Sequence, residues 1–332
     1  MYEDIVSKFL SERYGLISDS VESVGSGTNK VFKVKTDKQN LYLRVSPRRA
    51  GYISAEIHWL EHLKNDLRVP EPMLSKRGKA IERIRHEGKG YSVCVFSEVE
   101  GKYWDKNDPA VWNEKAFYNW GKAIGKMHRL SKEYRPPLLL RRRKRFERNY
   151  NPLSNYRAVP KVQEKMAQIQ AEITMLPKDR DSYGLIHCDM HQLNFLIGND
   201  DIGVLDFDEL QYGFFALDVG IALYHAIWSG IPDDVSGTDR NSYALGMIEN
   251  FMSGYKTENT LSSFWLGKIP LFMRYRQIQA LSWHIGVYKS NGFTAVVYNE
   301  TLGIYFDFGQ YIRDIENGVF FEGCTVDEGV FV

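Results

Sequence analysis

The segment around residue 190 carries side chains whose types and spacing suit phosphoryl transfer. His187, Asp189 and Asn194 form the pattern H-x-D-x-x-x-x-N, and Asp206 follows twelve residues after Asn194, behind the apolar residues 204–205. Phosphoryl transfer needs an acceptor hydroxyl in line, a group that takes its proton, and cations that hold the phosphate charge. Asp189 is suited to accept the proton, while Asn194 and Asp206 offer hard oxygen ligands for Mg²⁺. We therefore predict a phosphotransfer site here, in which His187 supports the loop by hydrogen bonding.

This segment resembles the aminoglycoside phosphotransferase and choline kinase family, including its homoserine kinase-like bacterial members. Those relatives commonly show H-G-D-x-H-x-x-N, followed by an aspartate-containing strand and a later Asp-Leu/Val-Ala/Gly. Here the first motif reads H-C-D at 187–189 with His191 after it, and the later group is D-V-G at 218–220.

The resemblance implies a fold, a reaction and several residue roles. The fold is protein-kinase-like and two-lobed, of the α+β class, and the reaction moves the γ-phosphoryl group of ATP to a small-molecule hydroxyl with Mg²⁺. Asp189 is implied as the catalytic base, Asn194 and Asp206 as metal ligands, and Asp218 as the residue that braces the catalytic loop. Cys188 stands where relatives usually have glycine, a change that removes no catalytic group.

The hydrophobic pattern predicts the elements that position these residues. Alternation over 30–36, 40–46 and 91–99 predicts strands, and an apolar stripe over 53–63 predicts one helix. We expect an N-terminal lobe at 1–96 with an antiparallel sheet plus one helix, a hinge at 97–101, and a mainly helical C-terminal lobe at 102–332 with a catalytic hairpin. The hairpin strands are predicted at 194–197 and 202–207. Helical periodicity is found over 110–131, 160–175, 214–229, 240–255, 260–290 and 294–316.

A glycine-containing stretch in the N-terminal half predicts a nucleotide loop. Gly25, Ser26, Gly27 and Thr28 lie between two predicted strands. Their backbone N–H groups would approach the ATP phosphates, although a plain hairpin turn explains the stretch about as well. No Walker A sequence occurs in the chain, which excludes a P-loop ATPase.

Two charged residues near this loop predict a phosphate-positioning pair. Arg44 lies on a predicted strand, on the face opposite Leu43, and Glu56 lies within the apolar helical stripe. A buried carboxylate is costly unless it is paired, so we expect Glu56 to bind Arg44; the alternative is that Glu56 reaches solvent. Backbone groups around Ser97 and Val99, in the predicted hinge, are expected to meet the adenine edge.

The acceptor pocket is expected in the C-terminal lobe. The candidate residues are His191, Asp208, Tyr224, Trp228, Arg276 and Trp283. Aromatic residues at these spacings are just as typical of a helical core, and Asp208 is either near the metal or only a charged residue after a strand. Because positive side chains such as Arg276 suit carboxylates and phosphates, we expect a small neutral or anionic alcohol as acceptor. Acidic residues at 307, 314, 316, 327 and 328 leave an amine-bearing acceptor open.

The run Arg141–Arg145 is a further charged feature. Such a run is typical of a solvated loop or helix face, or it holds an anionic group or an acidic partner.

Bulk composition excludes several classes of protein. The formal net charge is +1, which does not favour nucleic acid or an anionic membrane as a partner. No run of eighteen apolar residues occurs, and the three cysteines are widely separated, so we expect a soluble cytoplasmic protein without disulfides. We expect its partner to be a small-molecule hydroxyl acceptor. The alternatives are a bacterial protein Ser/Thr kinase of the same fold and a non-catalytic nucleotide-binding scaffold.

Overall fold

A computed structural model describes residues 2–25, 28–138, 143–146, 152–236, 238–287, 296–299 and 304–320. The chain divides into two compact units. The first contains Met1–Gly101, Tyr134–Arg143 and Gly203–Asp208, and the second contains Lys102–Glu133, Lys144–Ile202 and Glu209–Val332. The predicted loop residues Ser26 and Gly27, and Arg141 and Arg142 of the basic run, lie outside the described residues.

The first unit is built on a six-stranded antiparallel sheet. Its strands are β1 (Ser20–Gly25), β2 (Lys30–Lys35), β3 (Asn40–Ser46), β4 (Pro72–Met73), β5 (Glu82–His86) and β6 (Lys89–Ser97). The order is β1-β2-β3-β6-β4, and β5 also pairs with β6. Successive side chains of a strand point to opposite faces, so Leu41 and Leu43 of β3 enter a core while Arg44 faces the other way.

Two helices accompany this sheet, α1 (Tyr2–Tyr14) and α2 (Ala50–Leu63). The sequence patterns predict only α2. Helix α1 buries Val6 and Leu10, one turn apart, against apolar residues of β2, β3 and β6. Only these two residues are buried among those of α1 whose side chains the structure describes, which is too weak a stripe to be recognised without the sheet that covers them.

The second unit is mainly helical. Its helices are α3 (Glu114–Glu133), α4 (Pro160–Met175), α5 (Phe215–Gly230), α6 (Thr238–Lys256), α7 (Ser263–Leu266), α8 (Ile269–Val287) and α9 (Phe308–Asn317). Helices α3 and α6 approach each other closely at glycines. A Cβ atom at Gly121 would overlap the Phe251 carbonyl oxygen, and one at Gly254 would overlap that of Tyr118. Only glycine allows this backbone contact.

Short strands complete the second unit. Strand β7 (Tyr183–Ile186) pairs antiparallel with β10 (Gln211–Phe214) and leads into the loop that carries the H-x-D-x-x-x-x-N motif. Strand β8 (Phe195–Ile197) is followed by a turn that is closed by a 2.9 Å hydrogen bond from the Gly198 N–H to the Asp201 carbonyl. Strand β9 (Ile202–Val204) comes after the turn, and its residues from Gly203 onward belong to the first unit.

Two of the predicted helices differ from the structure. Within the region 294–316, β11 (Val296–Asn299) pairs antiparallel with β12 (Ile304–Asp307), because β-branched and aromatic residues favour strands. Helix α9 starts only after Asp307, whose side chain accepts the Gln310 N–H at 2.9 Å. The helix predicted over 260–290 is divided into α7 and α8, with Gly267 at the end of α7.

In the described part of the chain, no helix is both long enough and apolar enough to cross a membrane. Cys94 and Cys188 are buried and free.

Candidate active site

Asp218 holds the backbone of the loop that follows β7. It lies in the first turn of α5 and is fully buried. Its Oδ2 accepts the His187 N–H at 2.9 Å, and its Oδ1 accepts the Cys188 N–H at 2.6 Å. A carboxylate is favourable at a helix N-terminus, where unpaired N–H groups concentrate positive potential. Asp218 therefore fixes the start of the loop that the sequence predicts to be catalytic.

His128, on α3, supports Asp218 from behind and is not predicted by the sequence. Its Nε2 lies 3.3 Å from Asp218 Oδ2, and its Nδ1 lies 2.9 Å from the Tyr255 hydroxyl. The ring stacks on Phe215 at 4.4 Å between centroids, and burial lowers the pKa of His128. Because its partners are 87 to 127 residues away in the sequence, no local pattern reveals this role.

Cys188 adopts a left-handed backbone conformation, with φ of 66°. Glycine enters this region without steric cost, which gives a physical reason for the glycine usual in relatives. The thiol is buried, and its sulfur accepts a hydrogen bond from the Gln211 side-chain amide. Burial raises the pKa of the Cys188 thiol, so the residue stays protonated and is not a nucleophile.

The carboxylate of Asp189 has protein partners on both oxygens and remains 26% exposed. Arg276 Nη2 donates to Oδ1 at 2.5 Å, while Asn194 Nδ2 lies 3.3 Å and His191 Nε2 lies 3.5 Å from Oδ2. Burial alone would raise the pKa of Asp189, but His191 and Arg276 outweigh it and hold the pKa below its usual range. The group is therefore an ionised carboxylate that a hydroxyl can still approach.

His187 and Asn194 shape the loop around Asp189. His187 is buried, and its Nδ1 accepts the Asp189 N–H at 3.3 Å. Asn194 Nδ2 donates to the Asp189 carbonyl at 2.8 Å. This orientation leaves Asn194 Oδ1, an acceptor oxygen, as the atom suited to a metal ion.

Arg276 is oriented by three contacts. Besides Asp189, its Nε donates to His225 Nε2 at 2.9 Å and its Nη1 donates to Gln279 Oε1 at 3.0 Å. Burial, and then the charge of Arg276, lower the pKa of His225 well below its usual value. His225 is therefore neutral, and its Nε2 lone pair is available to accept from Arg276.

A row of aromatic rings leads away from the catalytic loop. Ring centroids are 5.1 Å apart for His191 and His225, 5.9 Å for His225 and Trp228, and 5.5 Å for Trp228 and His284. Trp283 packs edge-on against His284 and is 58% exposed. Ring contacts thus connect His191 with His225, Trp228 and His284 in turn. Trp283 lies at the outer end of this row.

Tyr224 is fully buried, unlike the rest of the predicted acceptor residues. Its hydroxyl is hydrogen-bonded to the Tyr311 hydroxyl, which in turn donates to the Gln277 carbonyl at 2.7 Å. These contacts are typical of a core residue. The helical spacing leaves open whether Tyr224 is an acceptor contact or part of the core.

In the first unit, Arg44 of β3 and Glu56 of α2 form a bidentate ion pair. Nη1 donates to Oε1 at 2.8 Å, and Nη2 donates to Oε2 at 2.9 Å. Their side chains are 10% and 3% exposed, and the guanidinium lies 5.1 Å from the Phe96 ring centroid. Burial alone would raise the pKa of Glu56, but Arg44 chiefly outweighs it, so the pKa is lowered.

Asp206 and Asp208 also belong to the first unit. Asp206 is exposed and has a left-handed φ of 51°, a strained conformation that is often found at functional sites. Asp208 is buried and pairs with Arg48 Nη2 at 2.7 Å, so its carboxylate is engaged by an arginine. Burial raises the pKa of Asp208 despite the opposing charges of Arg48 and Arg44.

The predicted nucleotide loop and hinge are described in part. A Cβ atom at Gly25 would lie 3.3 Å from Val31 Cβ, and Thr28 is exposed. The Ser97 N–H donates to the Glu71 carbonyl at 2.9 Å, so this amide is occupied by the protein itself. Val99 is buried.

The chain matches the model of the phosphotransferase enzyme family over residues 20–246. It is 31% identical to amicoumacin kinase of Bacillus subtilis (strain 168) over 286 residues, which are 83% of each chain. The chain belongs to the phosphotransferase enzyme family. This result confirms the predicted membership of the aminoglycoside phosphotransferase and choline kinase family, and the predicted enzyme class, a kinase with a small-molecule alcohol as acceptor.

Solved structures confirm the predicted α+β, kinase-like fold. The amicoumacin kinase hAmiN, in complex with AMP-PNP, Ca²⁺ and Ami, superimposes with a TM-score of 0.82 at 23% identity, covering 100% of this chain and 98% of that one. A microcompartment-associated aminopropanol kinase gives a TM-score of 0.71 at 19% identity and covers 95% and 94% of the two chains.

Proposed function

We propose that this phosphotransferase moves the γ-phosphoryl group of ATP, with Mg²⁺, to a hydroxyl group of an amicoumacin-type antibiotic. The observation that carries the chemistry is the state of Asp189. Its carboxylate is ionised, oriented by Arg276 and Asn194, and partly exposed, on a loop whose backbone is held by Asp218. These are the properties that a base acting on a substrate hydroxyl needs.

In the proposed reaction, the acceptor hydroxyl donates a hydrogen bond to the Asp189 carboxylate. The hydroxyl oxygen attacks the γ-phosphorus, the bond from that phosphorus to the β–γ bridging oxygen breaks, and ADP leaves. The hydroxyl proton passes to Asp189. His187 and Asp218 act through the loop backbone and do not touch the substrate.

Magnesium fits the side chains that the sequence motif selects. Asn194 offers a free amide oxygen and Asp206 an exposed carboxylate, and both are hard oxygen donors. Among the described residues, no cluster of three or more His, Cys, Asp or Glu side chains could hold a metal. Such a cluster is unnecessary for Mg²⁺, which binds through one or two carboxylates together with phosphate oxygens and water. When bound, Mg²⁺ neutralises the charge on the ATP phosphates.

The nucleotide is assigned to residues of the first unit. Arg44, held in place by Glu56, is proposed to contact the phosphates, since a guanidinium can bind phosphate oxygens bidentately. We propose the stretch 25–28 as the phosphate loop and the segment Ser97–Val99 as the adenine contact. A cytoplasmic location, where ATP is available, is consistent with free Cys94 and Cys188 thiols.

The acceptor is assigned from the relatives and from the aromatic row. His225 and His284 of the row are buried, whereas His191 and Trp228 are partly exposed and Trp283 is exposed. These three exposed or partly exposed rings suit an acceptor with a planar group, because aromatic faces stack. The cationic group that the structure brings to Asp189 is Arg276, which disfavours an acceptor with several ammonium groups. The similarity to the Bacillus subtilis amicoumacin kinase makes amicoumacin the first acceptor to test.

The deciding experiment is an acceptor panel with purified enzyme, ATP and Mg²⁺. Amicoumacin, spectinomycin, kanamycin, aminopropanol, homoserine and choline are compared by coupled ADP release and by mass spectrometry of the product. We expect amicoumacin to give the highest kcat/KM, with phosphorylated product formed. Efficient phosphorylation of kanamycin at micromolar concentration would overturn the acceptor assignment, and ADP release that no acceptor stimulates would overturn the kinase assignment.

A further inference from the structure

Arg143, from the basic run 141–145, is buried. It is 5% exposed, whereas its neighbours Lys144 and Arg145 are exposed. Its guanidinium carbon lies 3.9 Å from the centroid of the Tyr52 ring, on helix α2. The prediction that this run forms a solvated face is therefore wrong for Arg143.

The first partner of Arg143 is Glu56. Arg143 Nη2 lies 3.6 Å from Glu56 Oε2, the oxygen that also accepts Arg44 Nη2 at 2.9 Å. Glu56 therefore contacts two arginines. The charge of Arg143 also lowers the pKa of Glu56, by less than Arg44 does.

The second partner is the segment after β9. The Asp208 carbonyl accepts three hydrogen bonds, from Arg48 Nη1 at 3.1 Å, the Tyr52 hydroxyl at 3.2 Å and Arg143 Nη1 at 3.3 Å. The Asp208 N–H in turn lies 3.4 Å from Asp206 Oδ1. Arg143 therefore contacts both the helix that carries Glu56 and the segment that carries the proposed metal ligand.

This cluster is a poor device for stability alone. It places three guanidinium groups, those of Arg44, Arg48 and Arg143, against the two carboxylates of Glu56 and Asp208. The buried Nε atoms of Arg44 and Arg143 have no hydrogen-bond partner among the described residues. Burying extra charge and unpaired donors costs free energy that an apolar core would not cost.

The stretch that ends at Arg143 also contacts the second half of α2. The Tyr134 hydroxyl lies 2.7 Å from His58 Nδ1, and its ring packs edge-on against Trp59 at 4.7 Å between centroids. Contacts at both ends of residues 134–143 therefore restrain the helix that presents Glu56.

We propose that Arg143 is a positioning residue that joins Glu56 to the segment carrying Asp206. The inference rests on the proposed function, in which Arg44 contacts the ATP phosphates and Asp206 binds the metal. Arg143 contacts Glu56, which is the partner of Arg44, and it also contacts the segment that carries Asp206. Losing Arg143 therefore loosens both Arg44 and Asp206 and leaves the acceptor side unchanged.

The test compares Arg143→Gln with Lys144→Gln, a matched change at the adjacent exposed residue of the same run. For Arg143→Gln we expect the KM for ATP and the Mg²⁺ concentration at half-maximal rate to rise about 5- to 30-fold, the range that a coupling of one or two kcal/mol gives. The KM for the acceptor and all constants of Lys144→Gln should stay near wild type. Arg143→Lys should recover the constants only in part, since lysine keeps the charge but not the planar stacking.

A purely structural role gives a different result. If Arg143→Gln lowers the melting temperature but the folded enzyme keeps the ATP and Mg²⁺ constants of Lys144→Gln, the proposal is overturned. Should Arg143→Gln not fold, Arg143→Lys is combined with Tyr52→Phe, which keeps the ring and removes the hydroxyl. Non-additive effects of this pair on the KM for ATP are expected, and additive effects overturn the proposal.

Arg44→Gln separates this inference from the proposed function. If Arg44→Gln raises the KM for ATP and the Arg143 variants do not, only the role of Arg143 is wrong. If Arg44→Gln also leaves the KM for ATP unchanged, the assignment of the nucleotide to this pair is wrong, and the inference fails with it.

Discussion

Asp189 and Glu56 are both carboxylates paired with arginine, and they are held in different ways. Glu56 is 3% exposed, both of its oxygens accept from Arg44, and Arg143 approaches as a second cation. Asp189 is 26% exposed and takes a single hydrogen bond from Arg276. In both cases the pKa lies below its usual value.

The difference indicates two separate tasks for the same chemical group. A buried bidentate pair fixes the direction of its arginine, and both oxygens of its carboxylate are already occupied, so Glu56 is not placed to accept a substrate hydroxyl. A partly exposed carboxylate with a single arginine contact stays ionised and can still accept a proton from a bound hydroxyl. We therefore propose that Glu56 positions Arg44 and that Asp189 takes part in the chemical step.

The largest expected effect is that of Asp189→Asn on turnover. Losing the base should lower kcat by about 100- to 10,000-fold, because general base catalysis contributes about this much. The thermal stability should change little, since the group is partly exposed. Steady-state kinetics and a melting curve measure both, with the exposed turn residue variant Asp200→Asn as control. Near wild-type transfer by Asp189→Asn would remove the base assignment.

Charge reversal of the Arg44–Glu56 pair should affect folding as well as activity. Breaking a buried ion pair leaves an unpaired charge and costs about 3–5 kcal/mol. Arg44→Glu and Glu56→Arg should each lose most activity and lower the free energy of unfolding, and the double swap should recover part of both losses. A double-mutant cycle from denaturant unfolding and kcat/KM measures this. Additive single effects would mean that the two residues do not interact.

The ion pair also predicts a loss of stability in acid. The folded pKa of Glu56 is lowered, so its contribution is present above the unfolded pKa of about 4.3 and is lost as pH falls through the folded value. The free energy of unfolding should therefore decline below about pH 4.3, and Glu56→Gln, already less stable at pH 7, should decline less steeply. Urea unfolding at a series of pH values measures the slope. Equal slopes would contradict the lowered pKa.

The smallest expected effect is that of Cys188→Gly. Glycine relieves the strain of the left-handed conformation but adds entropy to the unfolded chain, so the free energy of unfolding should change by no more than about 1 kcal/mol. Because we assign no catalytic role to the thiol, kcat should change by no more than about threefold, far less than the loss expected for Asp189→Asn. Cys188→Val, which is β-branched, should be clearly less stable. A large loss of kcat in the glycine variant would show that the sulfur has a catalytic role.

The features that the sequence predicts depend on nearby residues. The loop from His187 to Asn194 is a short motif, and Arg44 and Glu56 are recognised from one strand face and one helix stripe. Both patterns are local because the period of the element determines which side chains share a face.

The features that the sequence does not predict depend on long-range contacts. Arg143 is buried by residues 65 to 91 positions away, Tyr52 and Asp208 among them, so its neighbours in the sequence suggested a solvated run. The contact of Arg276 with Asp189 spans 87 residues. The helical spacing of Arg276 in the sequence predicts it only as a candidate acceptor contact.

The most direct test of the two assigned tasks is the affinity for Mg·ATP in Asp189→Asn and Glu56→Gln, measured side by side by isothermal titration calorimetry. We expect Asp189→Asn to bind Mg·ATP as tightly as the wild type although it turns over slowly, and Glu56→Gln to bind it more weakly. Loss of Mg·ATP binding in Asp189→Asn, or wild-type binding in a folded Glu56→Gln, would contradict the division of tasks between these carboxylates.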